Sequence, residues 1–189
     1  MSGRKIVFLD MDGVMNDVSW RSQASLIYDN ECSIEVGEIA LPEDENTKFD
    51  SFEFDKRSVS PSNVFNLYMM DKDLRVLDKE LRGSFEIVIS SSWRRWRSVE
   101  EMQEILQSAF PPFKNKVVDR IFIPTSAPED RGKFVADWIE EHLDLSVDKY
   151  VILDDIPFQG FESMNFVQTS DFDGGFTYQK MMEAIKFLR

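Results

Sequence analysis

Short apolar segments that alternate with longer helical patterns are the feature that most constrains how this chain can fold. Five such segments occur in the 189 residues, at 5–9, 85–90, 116–123, 150–153 and 165–169. They are short for helices, and most are rich in β-branched side chains, which is typical of strands buried on both faces. Strands separated by helices predict a parallel sheet with helices on both faces. The expected fold class is therefore α/β.

Helical periodicity fills most of the segments between the predicted strands. Ser98 and Glu101 form a capping-box pattern in front of an apolar helical stripe. Residues 132–143 and 177–188 each place apolar side chains on one helical face, and Pro61 begins a further helix-like stretch. We expect a Rossmann-like parallel sheet of about five strands flanked by these helices.

One acidic stretch interrupts this alternation. The 189 residues have the length of one domain, so residues 1–189 are predicted to form a single domain with an insertion at 18–60. Between Asp29 and Asp55 the insertion carries ten acidic side chains and one basic side chain. Local alternation at Ile34/Val36 and Phe52/Phe54 predicts a hairpin-like or partly mobile flap or cap after the first strand. A solvated acidic loop is the alternative.

The acidic composition limits the partners that the chain can bind. With 22 basic and 35 acidic side chains the formal net charge is −13, which disfavours binding to a long nucleic-acid strand. A phosphorylated small molecule, or a nucleic-acid 3′ end held in a local pocket, is compatible with this charge. One cysteine and one histidine exclude an intrachain disulfide and a metal site built on several such ligands. No apolar run is long enough to cross a membrane, so we expect no membrane partner and a reducing, cytoplasmic location. The sequence leaves the oligomeric state open.

Polar side chains cluster at the ends of the predicted strands. In an open parallel sheet, ligands bind at the carboxyl ends of the strands. Four carboxylates brought together there would repel one another unless a cation offset their charge, and oxygen ligands without His or Cys suit Mg²⁺. The residues concerned are Asp10 and Asp12 after the first strand, Ser90, Ser91 and Arg94 after the second, Arg131 and Lys133 ahead of the fourth, and Asp154 and Asp155 after it.

Four segments of the chain are similar, in order, to the four motifs of the haloacid dehalogenase (HAD) superfamily of phosphohydrolases. They are IVFLDMDGV, IVISSSWR, the base within EDRGKF, and YVILDD. The resemblance covers the chain from residue 5 to 189 apart from the insertion. Within the superfamily, SSSWR, DRGKFVADWI and VQTSDFDGGFT resemble the HAD domains of Swiss-army-knife RNA-repair proteins, and the 3′-phosphatase domains of phage polynucleotide kinase-phosphatases are also similar.

The resemblance implies a role for each matching carboxylate. Asp10 would be the nucleophile that forms an aspartyl-phosphate. Asp12 would protonate the leaving oxygen and then activate water, and its backbone carbonyl would contact Mg²⁺. Asp154, supported by Asp155, would hold the metal together with Asp10. An acid at position 12 favours phosphoryl transfer over dehalogenation, which attacks carbon and does not need this acid.

The same resemblance leaves two positions open. Ser91 or Ser90 would donate a hydrogen bond to the transferring phosphoryl group, and we favour Ser91. Lys133 or Arg131 would stabilise the nucleophile and the phosphorylated intermediate, and we favour Lys133, which opens a predicted helix. Gly13 would let the backbone approach the substrate closely.

A run of aromatic and basic side chains, WRRWR at 93–97, follows the predicted serines. We expect Arg94 to contact the substrate, since a guanidinium suits a second anionic group, and either Trp93 or Trp96 to stack on a base. The alternative is that both tryptophans pack in the core.

The function favoured by these residues is a Mg²⁺-dependent phosphatase, a phosphoric monoester hydrolase that acts through an aspartyl-phosphate on a nucleotide or a nucleic-acid 3′-phosphate end. Two alternatives stay open. One is a phosphatase of a small metabolite such as a sugar phosphate. The other is a regulatory or binding protein that keeps the site, with the acidic insertion as its docking surface.

Overall fold

A five-stranded parallel sheet forms the centre of the molecule. The computed structural model describes residues 3–23, 51–77, 84–122, 130–146 and 148–189. The strands are β1 (Lys5–Leu9), β2 (Glu86–Ile89), β3 (Val117–Arg120), β4 (Lys149–Asp154) and β5 (Phe166–Gln168). Their order in the sheet is β3-β2-β1-β4-β5, and every neighbouring pair is parallel. The predicted α/β fold class is confirmed.

Helices lie beside the strands, and all but the first of those named next lie where the periodicity predicts them. They are α1 (Ser51–Ser58), α2 (Pro61–Leu77), α3 (Val99–Ala109), α4 (Arg131–His142) and α5 (Tyr178–Leu188), with 3₁₀ turns at Ser92–Arg95 and Phe161–Ser163. The predicted capping box is present at the start of α3, where Ser98 and Glu101 each accept the other's amide proton. In the parts of the chain that the structure describes, no helix is long and apolar enough to span a membrane.

The two faces of the sheet bury different sets of side chains, because successive residues of a strand point to opposite faces. On one face, Val7 and Leu9 of β1 pack with residues of α2, α3 and α5. On the other face, Ile6 and Phe8 pack with residues of α4 and with Phe161. Burial on both faces explains why the strands appear in the sequence as continuous apolar runs.

The alternation at Phe52 and Phe54 predicts extended chain, and this prediction is wrong. Both residues lie in the helix α1. Phe52 packs against the core, and the Arg97 guanidinium lies 5.0 Å from the centre of its ring. The Nε of Arg97 also donates to Asp55 at 2.8 Å. These contacts with the start of α3 decide the conformation of a segment too short for its periodicity to do so.

The rest of the predicted insertion lies only partly within the residues that the structure describes. Residues 18–23 are helical, whereas residues 24–50, including Ile34 and Val36, lie outside the described residues. The flap or cap therefore stays a prediction.

Candidate active site

The site lies where the connections of the sheet change direction. The chain leaves β1 towards β2 and β3 on one side and reaches β4 and β5 on the other, so a crevice opens between the carboxyl ends of β1 and β4. The Asp10 amide donates to the Leu153 carbonyl at 2.9 Å, and the Ser90 amide donates to the Leu9 carbonyl at 3.0 Å. The sheet's hydrogen-bond ladder thus sets these strand-end residues side by side.

Three carboxylates meet in this crevice. Asp10, Asp154 and Asp155 can each offer one oxygen such that all three oxygens lie within 4.8 Å of one another. Asp10 is 4% exposed and Asp154 is fully buried. Ligand oxygens around an octahedral Mg²⁺ stand roughly 3 to 4 Å apart, so a small closure would let these residues hold a divalent cation. The donor set, oxygen only and strongly anionic, fits such an ion.

Arg131 pairs with two of these carboxylates. Its Nη1 lies 2.5 Å from Asp154 Oδ2 and 3.1 Å from Asp10 Oδ1. The arginine side chain is only 10% exposed, so the three charges interact in a poorly hydrated environment. Arg131 therefore offsets part of the repulsion between the two aspartates.

Two contacts that the sequence analysis did not anticipate bring Arg131 into the crevice. A Cβ atom on Gly132 would lie 2.0 Å from the Gln159 carbonyl oxygen, so only glycine allows the first turn of α4 to approach the loop after β4. The Arg131 guanidinium carbon lies 4.4 Å from the centre of the Phe158 ring, so the ring packs against the guanidinium group. In the sequence, Gly132 next to Arg131 could have indicated the close backbone approach, whereas no pattern indicated the contact with Phe158.

The structure places Arg131, and not the favoured Lys133, against the carboxylates, whereas the catalytic role of either residue stays a prediction. Lys133 is exposed, whereas Arg131 contacts Asp10 and Asp154. The reason is helical geometry: residues two apart on a helix point in directions about 200° apart, so only one of them can face the crevice. The sequence established that a base opens α4 but not which way the helix is rotated.

Both candidate serines are fully buried at the end of β2, and they differ in their partners. Ser91 lies close enough to Asp10 to lower the pKa of its carboxyl group, and its side-chain oxygen accepts the Trp93 amide at 3.3 Å. Among the described residues, Ser90 Oγ has no hydrogen-bond partner. Ser91 therefore lies beside the predicted nucleophile, and Ser90 leaves a buried hydroxyl group that a ligand could use.

Arg94 is buried next to the serines. Its Nη1 donates to the Ser90 carbonyl at 3.2 Å and to the Ser91 carbonyl, while its Nε has no partner among the residues that the structure describes. Burial and the nearby Arg131 charge lower the pKa of Arg94 to about 10, so the side chain still carries its charge at neutral pH. Two buried guanidinium groups, those of Arg94 and Arg131, therefore interact electrostatically with Asp10.

Asp12 stands at the edge of the crevice, with its side chain 45% exposed. Its Oδ1 accepts a hydrogen bond from Asn16 Nδ2 at 3.1 Å, and its Oδ2 accepts one from Trp93 Nε1 at 3.0 Å. Its carboxylate is not among the three that could share a cation in the described structure. A metal contact through its backbone carbonyl stays a prediction. Asn16, which nothing in the sequence analysis singled out, is a further part of the site.

Gly13 makes room for a carboxylate. Its φ of +70° is a conformation that other residues rarely adopt, and a Cβ atom there would lie 2.6 Å from Asp155 Cγ. The glycine therefore lets the chain after β1 turn tightly against Asp155. Its predicted close approach to a substrate stays a prediction.

Burial makes the ionised carboxylates costly in the absence of a cation. Burial, and then the neighbouring Asp154 carboxylate, raise the pKa of Asp10 to about 8, although Arg131 and Ser91 act in the opposite direction. Burial likewise raises the pKa of Asp154 to about 6. The two buried arginines can offset only half of the charge of the four aspartates, and one divalent cation would offset the rest.

We expect Mg²⁺ to raise the melting temperature, and to raise it more at about pH 8 than at about pH 5. An acid with a raised pKa binds a proton in the folded state that the unfolded chain lacks, so the free energy of unfolding of the metal-free protein falls between about pH 4 and pH 8. Mg²⁺ needs ionised ligands, so it competes with this proton and binds more tightly as the pH rises.

The measurement is a thermal melt with and without Mg²⁺ at both pH values. Asp154→Asn should abolish the Mg²⁺-dependent increase, whereas Asp137→Asn, on the exposed face of α4, should retain it. An increase of the same size at both pH values would contradict the expected competition between the cation and protons.

Comparison with known proteins identifies a family for this site. A family model described as "HAD domain in Swiss Army Knife RNA repair proteins" matches residues 6–181. The match spans β1 except for Lys5, all of β2 to β5 and every candidate site residue. Neither a curated protein nor a solved structure matches the chain significantly.

Proposed function

Because the chain belongs to the family of HAD domains in Swiss Army Knife RNA repair proteins, we propose that it is a phosphatase that uses Asp10 as its nucleophile. The observation that carries the proposal is the environment of Asp10. This buried carboxylate lies 3.1 Å from Arg131 Nη1, which also contacts Asp154, and Ser91 lies close enough to lower the pKa of Asp10. A carboxylate held this way, beside cationic groups and unpaired buried donors, suits attack on a phosphoryl group.

The chemistry divides into two displacements at phosphorus. In the first, an Asp10 oxygen forms a bond to phosphorus while the ester P–O bond breaks, and Asp12 gives its proton to the leaving oxygen. In the second, Asp12 takes a proton from water as the water oxygen attacks the aspartyl-phosphate and the Asp10 carboxylate leaves. Each residue returns to its starting state, and the products are an alcohol and inorganic phosphate.

The remaining residues stabilise charge on the phosphoryl oxygens. Arg131 contacts Asp10, and the Ser90 hydroxyl and Arg94 Nε are buried donors at the end of β2 that have no partner among the described residues. Mg²⁺ held by Asp10, Asp154 and Asp155 would supply further charge stabilisation. The single observation behind the choice of metal is the oxygen-only donor set.

We infer that the substrate is a nucleotide or a nucleic-acid 3′-phosphate end. Trp96 is 54% exposed, and it directly follows the 3₁₀ turn that contains Arg94 and is capped by Ser91. An exposed indole beside a phosphate site can stack on a base. Trp93, in contrast, is buried and its N–H donates to Asp12, so we assign the stacking role to Trp96.

The family description, which refers to RNA repair proteins, supports the same substrate class. The net charge of −13 argues against tight binding of long strands, and the cytoplasmic location stays a prediction.

The test compares kcat/KM for a 3′-phosphorylated dinucleotide and for glucose 6-phosphate at equal Mg²⁺. We expect the dinucleotide to be preferred by at least about tenfold, which corresponds to one modest stacking contact. Trp96→Ala should remove most of this preference by raising KM for the dinucleotide alone. Tyr178→Ala, which removes another exposed aromatic side chain, is the matched control. An equal or better rate with glucose 6-phosphate would make a small-metabolite phosphatase the better explanation.

A further inference from the structure

Trp93 makes a contact with Asp12 that the assignment of the site residues leaves unexplained. The indole lies in the 3₁₀ turn after β2 and is 6% exposed. Its Nε1 donates to Asp12 Oδ2 at 3.0 Å across 81 residues of sequence. Asp12 is much more exposed than its partner, so a buried and rigid donor holds a carboxylate that would otherwise sample several rotamers.

We propose that Trp93 is a positioning residue that orients the Asp12 carboxyl group for proton transfer to the leaving group. The inference rests on the proposed function, because it assigns Trp93 to one step of that reaction. An indole N–H can donate a hydrogen bond but cannot accept one, so Trp93 fixes Asp12 without competing for the proton that Asp12 transfers. The proton moves from Asp12 to the leaving oxygen as the P–O bond breaks.

The second Asp12 oxygen is held by residues that follow β1 in the sequence. Asn16, which is 1% exposed, donates to Oδ1 at 3.1 Å, and the Gly13 amide in turn donates to the Asn16 side chain at 3.2 Å. Arg21 lies 3.8 Å from the same oxygen. With both oxygens held, the carboxyl group has a defined plane, which is what a general acid needs in order to meet a leaving oxygen.

The turn that carries Trp93 is also tied to the nucleophile. Ser91 caps this turn by accepting the Trp93 amide, and the Ser90 amide just before it donates to the carbonyl of Leu9, the residue that precedes Asp10, at 3.0 Å. One short segment therefore adjoins both the attacking residue and the acid. Through Trp93 and Ser91, the end of β2 sets the relative positions of the two residues that act on opposite sides of the phosphorus atom.

The test uses two esters that differ in their need for an acid. An alkyl phosphate, such as the 3′-phosphorylated dinucleotide, releases an alkoxide that must be protonated, whereas p-nitrophenyl phosphate releases a stable phenolate. We expect Trp93→Phe to lower kcat/KM for the alkyl phosphate at least about tenfold and that for p-nitrophenyl phosphate less than about threefold, the scale of one lost hydrogen bond to a charged group. The ratio kcat/KM reports the steps up to the first P–O cleavage, so it isolates the role of the acid.

Trp138 provides a matched control. It is 8% exposed, and its Nε1 donates to Asp119 Oδ2 at 2.8 Å, in the same kind of bond away from the crevice. Trp138→Phe should leave the ratio of the two kcat/KM values unchanged. In an Asp12→Asn background, Trp93→Phe should have no further effect on that ratio, since its effect passes through Asp12.

A spectroscopic measurement keeps the inference testable if Trp93→Phe fails to fold. In ¹⁵N-labelled protein, Asp12→Asn should shift the indole N–H resonance of Trp93 and leave that of Trp138 in place. An unchanged ratio in a folded, active Trp93→Phe variant, or an unshifted Trp93 resonance in Asp12→Asn, overturns the inference and leaves the proposed function intact. If the wild-type protein hydrolyses neither ester, the proposed function and the inference fail together.

Discussion

Asp10→Asn is expected to lower kcat by at least about 10³-fold while the protein stays folded, because an amide cannot act as an ionic nucleophile. In the absence of metal the variant should melt at the same temperature as the wild type or higher. The substitution removes a carboxyl group whose ionised form is disfavoured by burial and by Asp154.

The measurement combines steady-state kinetics at saturating Mg²⁺ with circular dichroism and thermal melting. Asp137→Asn makes the same chemical change on the exposed face of α4 and should retain wild-type activity. A residual rate above a few per cent of wild type would mean that another group attacks phosphorus. The loss of activity is interpretable only because the melting temperature is expected to be maintained.

Arg131→Ala and Lys133→Ala are expected to differ by about 10² to 10³-fold in kcat, although the two residues are only two positions apart. Arg131 contacts Asp10 and Asp154 from a buried position, so its removal takes a cationic donor from the proposed nucleophile and from the proposed phosphoryl site. Lys133 is exposed, so its removal should leave kcat within about twofold of wild type, as for most surface substitutions.

Stability should distinguish the same two variants. Breaking a buried ion pair by removing one partner costs about 3 to 5 kcal/mol, because a charge is left without compensation. In Arg131→Ala, Asp10 and Asp154 can take up protons instead, so we expect the loss in melting temperature of the metal-free protein to be larger at about pH 8 than at about pH 5. Equal loss of activity in both variants would contradict the assignment of Arg131.

Substitutions near Arg131 that leave the charge of the site unchanged should also impair it, because the position of the Arg131 side chain depends on uncharged neighbours. Gly132 lets α4 approach the Gln159 carbonyl, and Phe158 packs against the guanidinium. The direction of the side chain thus depends on a close backbone contact and on an aromatic face, neither of which carries charge. The position of the Arg131 charge in the site therefore depends on packing contacts between uncharged atoms.

Much of the molecule could be predicted from the sequence because its signals are local. Burial of the central strands β1, β2 and β4 on both faces requires apolar β-branched runs, and such runs can be recognised without a structure. The capping box of α3 depends on residues three positions apart. Parallel strands share one carboxyl edge, so the convergence of Asp10, Ser91 and Asp154 followed from the order of the elements alone.

Other properties depend on the rotation and packing of elements, which no local pattern encodes. α4 is rotated about its axis so that Arg131 rather than Lys133 faces the crevice. The close approach of Gly132 to the Gln159 carbonyl, which is distant in sequence, sets this rotation. The helical conformation at Phe52 follows from its contact with the core and with Arg97. The bond between Trp93 and Asp12 joins two strand ends across 81 residues. Local pattern therefore determined which residues reach the site, whereas tertiary contacts decided which atoms meet there, because hydrogen bonds and ion pairs depend on distances of a few ångströms.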